Sequence, residues 1–248
     1  MKYAMSNGEK REAQRGLIGK CPICDVPVKP RCGKIRVHHW YHPPGHFDHR
    51  WEPETPWHRN WKNLFPKEWQ EVLHRAENGE RHLADVKTAR GQVLEFQHSE
   101  ITEEERSSRE AIYGEMCWVV DGSPRKNHKK QFVKALELGR VVQRNPLTIA
   151  VPTASSMLLR KWEASQKVVV FDFGEQEASF GSFSFATAVL WMSPPARQNG
   201  ETVLQPIYRS GFVDITSRTD PPGSPNRAME PSRVQAPPRL APRFHRRF

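Results

Sequence analysis

The stretch from Glu80 to Ser99 constrains this chain more than any other. It reads Glu-Arg-His-Leu-Ala-Asp-Val-Lys-Thr, then Ala-Arg-Gly-Gln, then Val-Leu-Glu-Phe-Gln-His-Ser. Two β-favouring runs in rough alternation flank a glycine at Gly91, the pattern of a hairpin. Successive strand side chains point to opposite faces. Asp85 therefore shares a face with Lys87, and Glu95 shares one with Gln97. Pairing the two arms can set Asp85 beside Glu95. Two carboxylates fixed by a sheet suit a hard divalent cation, Mg²⁺ or Mn²⁺. Such an ion activates water and neutralises charge on a phosphate. An acid on a strand is most often a solvated or cross-strand-paired group. What favours an ion here is the neighbourhood: Lys87, Gln97 and His98, with Glu54, His58 and Lys62 upstream.

The length of 248 residues is enough for one substantial core and a small appendage. A mean hydropathy of −0.74, no apolar run of membrane-spanning length and a charged, polar start over residues 1–20 with no secretory pattern lead to the expectation of a soluble, cytoplasmic protein without a membrane segment. The formal charge of +10 favours a polyanionic partner, most simply nucleic acid. Much of the excess sits at the end. Residues 218–248 hold seven arginines against Asp220 and Glu230, so the folded part is less basic than the total implies.

Cys21, Cys24 and Cys32 cluster near the start, and Cys117 stands alone in an apolar run that reads as a buried structural thiol. Clustered cysteines in a cytosolic chain point to metal rather than disulfides. Cys21-Pro-Ile-Cys24 is a knuckle of the kind that gives two ligands to a tetrahedral Zn²⁺. Cys32, His39 and His42 are the candidates for the other two, with His46 and His49 as spares. A redox CxxC is the alternative, but no βαβ pattern surrounds it. The site reads as closed and structural.

Further along, apolar residues from Trp57 to Leu73 at spacings of three and four predict an amphipathic helix over 56–75 interrupted at Pro66. Thr102 and Glu105 form a capping-box pattern ahead of a helix running to Met116. Cys117–Val120 reads as a strand ending at an Asp-Gly turn. Residues 126–145 and 154–164 read as helical in part. Val168–Phe173 reads as a strand buried on both faces, and 186–192 as another strand. Residues 207–216 are ambiguous. Past Asp220, seven prolines among Arg, Ser and Gly give a composition that cannot bury a core, so disorder is expected there. Helix, strand, strand, helix, strand is the order of an α/β fold in which a helix crosses the sheet.

The runs CPIC, HHWYH, ETPWHRNWKNLFP, GERHLADVKTARGQVLEFQHS, EERSSREAIYGEMCWVVDG and LRKWEASQKVVVFDFGE, spanning roughly 20–175, resemble the competence protein CoiA-like family. The resemblance implies a PD-(D/E)XK-type nuclease core, a mixed sheet flanked by helices, with a zinc-finger-like element before it. Its expected divisions are a flexible 1–20, a zinc-binding module at 21–50, the core at 51–175, an extension of that core at 176–217 and a disordered basic tail at 218–248. It puts Asp85 and Glu95 at the acidic positions that hold Mg²⁺ or Mn²⁺, and Glu54, His58 and Lys62 on the preceding helix. Gln97 stands where that motif usually has lysine, so the site lacks a positive charge there unless Lys62 or Lys87 supplies it. The implied activity is hydrolysis of DNA, single- or double-stranded, in uptake or processing. Arg81, Arg90, Arg106, Arg109 and Lys126 are the candidates for gripping phosphates, in contacts that fix position without reading sequence. The other reading is a DNA-binding protein on a degenerate nuclease scaffold, to which the glutamine lends weight. A zinc-centred hydrolase built on the histidine cluster is the weakest of the three.

Overall fold

Alternation and apolar runs build most of the molecule. The computed structural model describes residues 1–43, 54–76, 79–195 and 200–218. Five strands come first: β1 (Tyr3–Ser6), β2 (Glu9–Glu12), β3 (Gly19–Lys20), β4 (Pro27–Arg31) and β5 (His39–Tyr41), paired antiparallel in the order β2-β1-β3-β4-β5. The flexible start expected for residues 1–20 is therefore overturned. Met1, Tyr3 and Ala4 are buried, and the short apolar run Tyr-Ala-Met suffices once a partner strand covers it.

The rest is an α/β unit. Helix α1 (Pro56–Asn63) begins at the cap Thr55, whose Oγ1 accepts the His58 N–H, with Pro56 in the first turn. The helix expected over 56–75 stops there. A 3₁₀ turn at Lys67–Trp69 leads into β6 (Gln70–Arg75), so Pro66 ends the helix rather than interrupting it. Strands β7 (Arg81–Lys87) and β8 (Val93–Gln97) form the expected hairpin, with Gly91 at φ 84° in its turn. Helix α2 (Glu103–Ile112) is capped by Thr102 and ends four residues before Met116, which opens β9 (Met116–Asp121). Then come α3 (Lys126–Leu138), β10 (Arg140–Arg144), β11 (Leu147–Pro152), α4 (Met157–Trp162), β12 (Val168–Asp172), the small pair β13 (Ser179–Phe180) and β14 (Phe183–Ser184), β15 (Val189–Ser193), β16 (Glu201–Tyr208) and α5 (Arg209–Thr216). The 126–145 segment, read as helical in part, is helix up to Leu138 and strand over Arg140–Arg144. The ambiguous 207–216 is the end of one strand and a helix.

Nine strands make one mixed sheet, β10-β11-β16-β15-β12-β9-β8-β7-β6, in which β8, β9 and β12 run parallel to their neighbours in that trio. The parallel centre is buried on both faces, as its unbroken apolar runs require. Trp118 and Phe171 pack with Phe132, Leu136 and Trp162 of α3 and α4 on one side, while Val119 and Val170 pack with Trp61 of α1 and Phe212 of α5 on the other. A third cluster (Met1, Ala4, Cys21, Val28 and Trp40) meets Leu73 and Leu83 and joins the small sheet to the edge of the large one. Among the described residues no helix is long and apolar enough to cross a membrane. Cys117 is buried as expected, and that burial pushes its thiol up to about 12. His46, His49 and residues 219–248 lie outside the described residues.

Candidate active site

The hairpin register pairs Val86 with Leu94 and Lys87 with Val93, which sets Asp85 opposite Glu95. Each reaches the other's strand. The Asp85 N–H donates to Glu95 Oε1 at 3.4 Å, and the Phe96 N–H donates to Asp85 Oδ2 at 3.0 Å. Both line a cavity of about 1000 Å³ together with Glu54, His58, Lys62, Arg109 and Tyr113. Its position between α1, α2 and the hairpin explains why residues from four distant segments meet there.

Lys62 is the centre of charge. Its Nζ lies 3.2 Å from Glu54 Oε2, 2.9 Å from Glu71 Oε1 and 3.0 Å from Asp85 Oδ1. Burial works against the ammonium, but Asp85, Glu71 and Glu54 outweigh it and hold Lys62 charged well above the ordinary lysine range. The same ammonium brings Glu54 and Glu71 below the usual carboxylate range in spite of their burial. Glu95 goes the other way. Burial, and then the Asp85 charge, push it up to about 7 against the pull of Arg109. Arg109 donates to Glu95 Oε2 at 3.0 Å and to Glu105 Oε1 at 2.7 Å. The intrahelical pair its spacing allows is present, and so is the contact to the site. Tyr113, buried beneath, has its hydroxyl pushed upward by that burial and by Glu95.

Two other expected members hold backbone. His58 Nε2 sits 2.7 Å from the Phe96 carbonyl oxygen, and its Nδ1 sits 2.9 Å from Thr55 Oγ1, so α1 is pinned to β8 by the ring. Gln97 is buried, donates from Nε2 to the Ser99 carbonyl at 3.0 Å and lines a different cavity. Lys87 is half-buried and shares no cavity wall with Asp85. Of the two lysines that stood to replace the motif's positive charge, Lys62 is the one in contact with Asp85. Of the phosphate-gripping candidates, Arg81 and Arg109 line the cavity with Asp85 and Glu95, and the others lie elsewhere. Arg81 donates to the Ile23 carbonyl at 3.0 Å, and Arg106 is buried, donating to the Lys161 carbonyl at 2.8 Å; Arg90 and Lys126 are exposed.

Glu71 is the member that sequence reasoning missed. Buried at a backbone φ of 46°, it accepts the N–H groups of Lys2 and Tyr3 at 2.7 and 2.8 Å as well as Lys62. It ties β1 of the small sheet to the charged centre. Nothing in the sequence signals a contact between residues nearly 70 positions apart. A left-handed glutamate leaves no mark in a pattern of residue types.

The expected zinc site gathers in part. Cys21, Cys24 and His42 place their ligating atoms within 4.8 Å of one another, with Cys24 Sγ 3.4 Å from His42 Nε2. The Ile23 N–H points at Cys21 Sγ at 3.4 Å and the Asp25 N–H at the Cys21 carbonyl at 2.9 Å, so the knuckle is preformed. Two thiols and an imidazole are the donor set of a zinc-type metal, and the group can hold such an ion. Cys32 and His39 are not in that group. His39 Nδ1 lies against the Val37 carbonyl at 2.8 Å, and Cys32 packs on the apolar cluster of the small sheet. Among the described residues this is the one set of three or more such ligands within reach of a single ion.

Comparison with family models, with curated proteins and with solved structures finds no match to this chain.

Proposed function

We propose that the chain is a metal-dependent nuclease of PD-(D/E)XK type that hydrolyses DNA phosphodiester bonds, with a zinc-type structural site in its N-terminal module. One observation carries this reading: Asp85 and Glu95 face each other on a rigid hairpin, in the larger cavity, with a lysine ammonium 3.0 Å from the first. Two side-chain carboxylates fit Mg²⁺ or Mn²⁺, which keep several positions for water and phosphate oxygens. When bound, that ion supplies a more acidic water and charge neutralisation on the phosphate. The remaining work falls to the chain. Lys62 holds Asp85 in an ion pair at 3.0 Å and brings the positive charge that Gln97 cannot. Glu95, near neutrality in the free protein, can take up or release a proton at the cavity wall. Arg109 orients Glu95 and extends positive charge toward α2. His58 and Glu54 hold α1 in place.

A second reading, a DNA-binding protein without activity, draws on Gln97 facing away and on the partners already filling the carboxylates: Lys62 and the Phe96 N–H on Asp85, Arg109 and the Asp85 N–H on Glu95. Incubation of labelled single- and double-stranded DNA with Mn²⁺, and in parallel with EDTA, separates the two. Cutting that needs Mn²⁺ and vanishes in Asp85→Asn is the expected result. Binding without cutting under every metal condition overturns the enzyme.

A further inference from the structure

A second cavity, of about 570 Å³, opens at the C-terminal ends of the parallel strands β8 and β9, between the first turns of α2 and α3 and the end of α4. The carboxyl ends of parallel strands are where open α/β sheets take ligands. Its charged wall is built around one oxygen. Arg125 Nη2 and Lys161 Nζ both meet Glu100 Oε1, the lysine at 2.6 Å. Glu100 is 60% exposed on the loop before α2, so its carboxylate is a replaceable occupant. Behind this pair lies His128, 9% exposed, whose Nδ1 is buried without a hydrogen-bond partner. A buried polar atom left that way carries a desolvation penalty, which a ligand oxygen in the cavity would remove. Arg106 adds a buried guanidinium to the lining. α3 starts without a side-chain cap and without an acid in its first turn, so its N-terminal end favours an anion. Besides Glu100 the wall carries three acids, Glu103, Asp121 and Glu163. Asp121 is already engaged: His98 Nδ1 lies 2.8 Å from one oxygen, and Ser123 donates to the other from Oγ at 2.6 Å. Glu103 Oε1 lies 3.8 Å from Arg106 Nη2.

We propose that this cavity is a phosphate-binding site, in which a phosphate oxygen takes the place of the Glu100 carboxylate between Arg125 and Lys161 and a second oxygen meets His128. The ligand class is a phosphate dianion or monoester, either free or at the end of a nucleic-acid strand. The site stands apart from the hairpin carboxylates and does not rest on the nuclease reading.

Calorimetric titration of the full chain in EDTA tests it, with inorganic phosphate as one probe and a 5′-phosphorylated oligonucleotide, against its unphosphorylated twin, as the other. Saturable binding of one phosphate per chain is expected, weakened about tenfold or more in Arg125→Gln/Lys161→Gln, because the two charge-assisted contacts are lost together. His128→Asn should weaken it less. Glu100→Gln should tighten it several-fold, since a competing anion is gone; were Glu100 merely a structural bridge, its loss would not raise affinity. Binding of both probes assigns a free phosphate group, and binding confined to the phosphorylated strand assigns a strand terminus. Absence of saturable binding to either probe overturns the site. So does binding indifferent to Arg125 and Lys161, or weaker binding in Glu100→Gln. The substituted Glu100, Arg125 and Lys161 side chains are substantially exposed, and far-ultraviolet circular dichroism checks that the fold is kept. A chain that binds phosphate yet never cuts DNA loses the nuclease reading and keeps this one, and the converse result does the reverse.

Discussion

The two polar clusters of this molecule are assembled in opposite ways. Cys21 and Cys24 are brought together by a turn of four residues, and His42 joins them from just past β5, 18 residues after Cys24, so the soft-donor group is nearly a local structure. The charged centre is the reverse. Lys62 collects Glu54, Glu71 and Asp85 from α1's approach, β6 and β7, and Glu95 comes from β8. The first group is a donor set that an ion can complete. The second already contains its own counter-charge, a lysine surrounded by carboxylates. Removing the metal should therefore undo the small sheet and spare the cleft, whereas removing one ammonium should undo the cleft and spare the knuckle.

The largest effect expected is on the small sheet. Purified protein should carry about one zinc per chain, and Cys24→Ser should abolish it, because binding and folding of such modules are one event worth roughly 10 kcal/mol or more. Amide exchange should then rise across β1–β5 while the nine-stranded sheet stays protected. Loss of protection in both sheets together would mean that Glu71's grip on Lys2 and Tyr3 makes a single cooperative unit, and the contrast between the clusters would fail. Next comes Lys62→Met, which leaves the buried carboxylates of Glu54 and Glu71 and the half-buried Asp85 without their shared cation. A loss of about 3–5 kcal/mol in urea unfolding is expected, with zinc content unchanged. A loss under about 1 kcal/mol would show that the carboxylates simply take up protons.

How much of this was legible beforehand follows the same division. The CxxC knuckle, the hairpin and the capped helix after Thr102 are short-range patterns, and the sequence carries them openly. Val168–Phe173 declared its double burial through an unbroken apolar run. β6 was hidden because Trp69, Val72 and Leu73 continue a helical spacing past Pro66, and only pairing with β7 decides for strand. The first twelve residues were hidden because charge dominates them, although Met1 to Ala4 are buried. Asp85 and Glu95 could be placed from the hairpin register alone. Glu71, Arg109's second contact and the withdrawal of Gln97 to another cavity depend on tertiary packing, which periodicity does not encode.

A smaller effect separates Glu95 from the rest of the cleft. Its carboxyl is held at about 7 by burial and by Asp85, above the unfolded value near 4.3. The folded chain thus binds more protons than the unfolded one between those values, so stability of the metal-free protein is fully present below about pH 4 and falls as pH rises toward and through 7. That shift is worth about 3–4 kcal/mol. Glu95→Gln should flatten urea-unfolding stability across that window. A slope unchanged by the substitution would assign the pH dependence to other groups.

The smallest effect probes the link between the cleft and the surface. Arg109 divides its guanidinium between buried Glu95 at 3.0 Å and half-exposed Glu105 at 2.7 Å. Glu105→Gln removes the outer partner, a helical pair worth only about 0.3–0.5 kcal/mol. The inner consequence has the opposite sign. With its outer partner gone, Arg109 leans wholly on Glu95 and favours the ionised carboxylate, so the upper end of the pH window over which stability falls should move down toward the unfolded midpoint. The measurable result is a protein slightly weaker at pH 5, where Glu95 is protonated and only the surface pair is lost. Near pH 8 it should equal or exceed the parent. A uniform loss at both pH values would mean that Arg109 is fixed by helix packing alone and transmits nothing from the surface to the cavity.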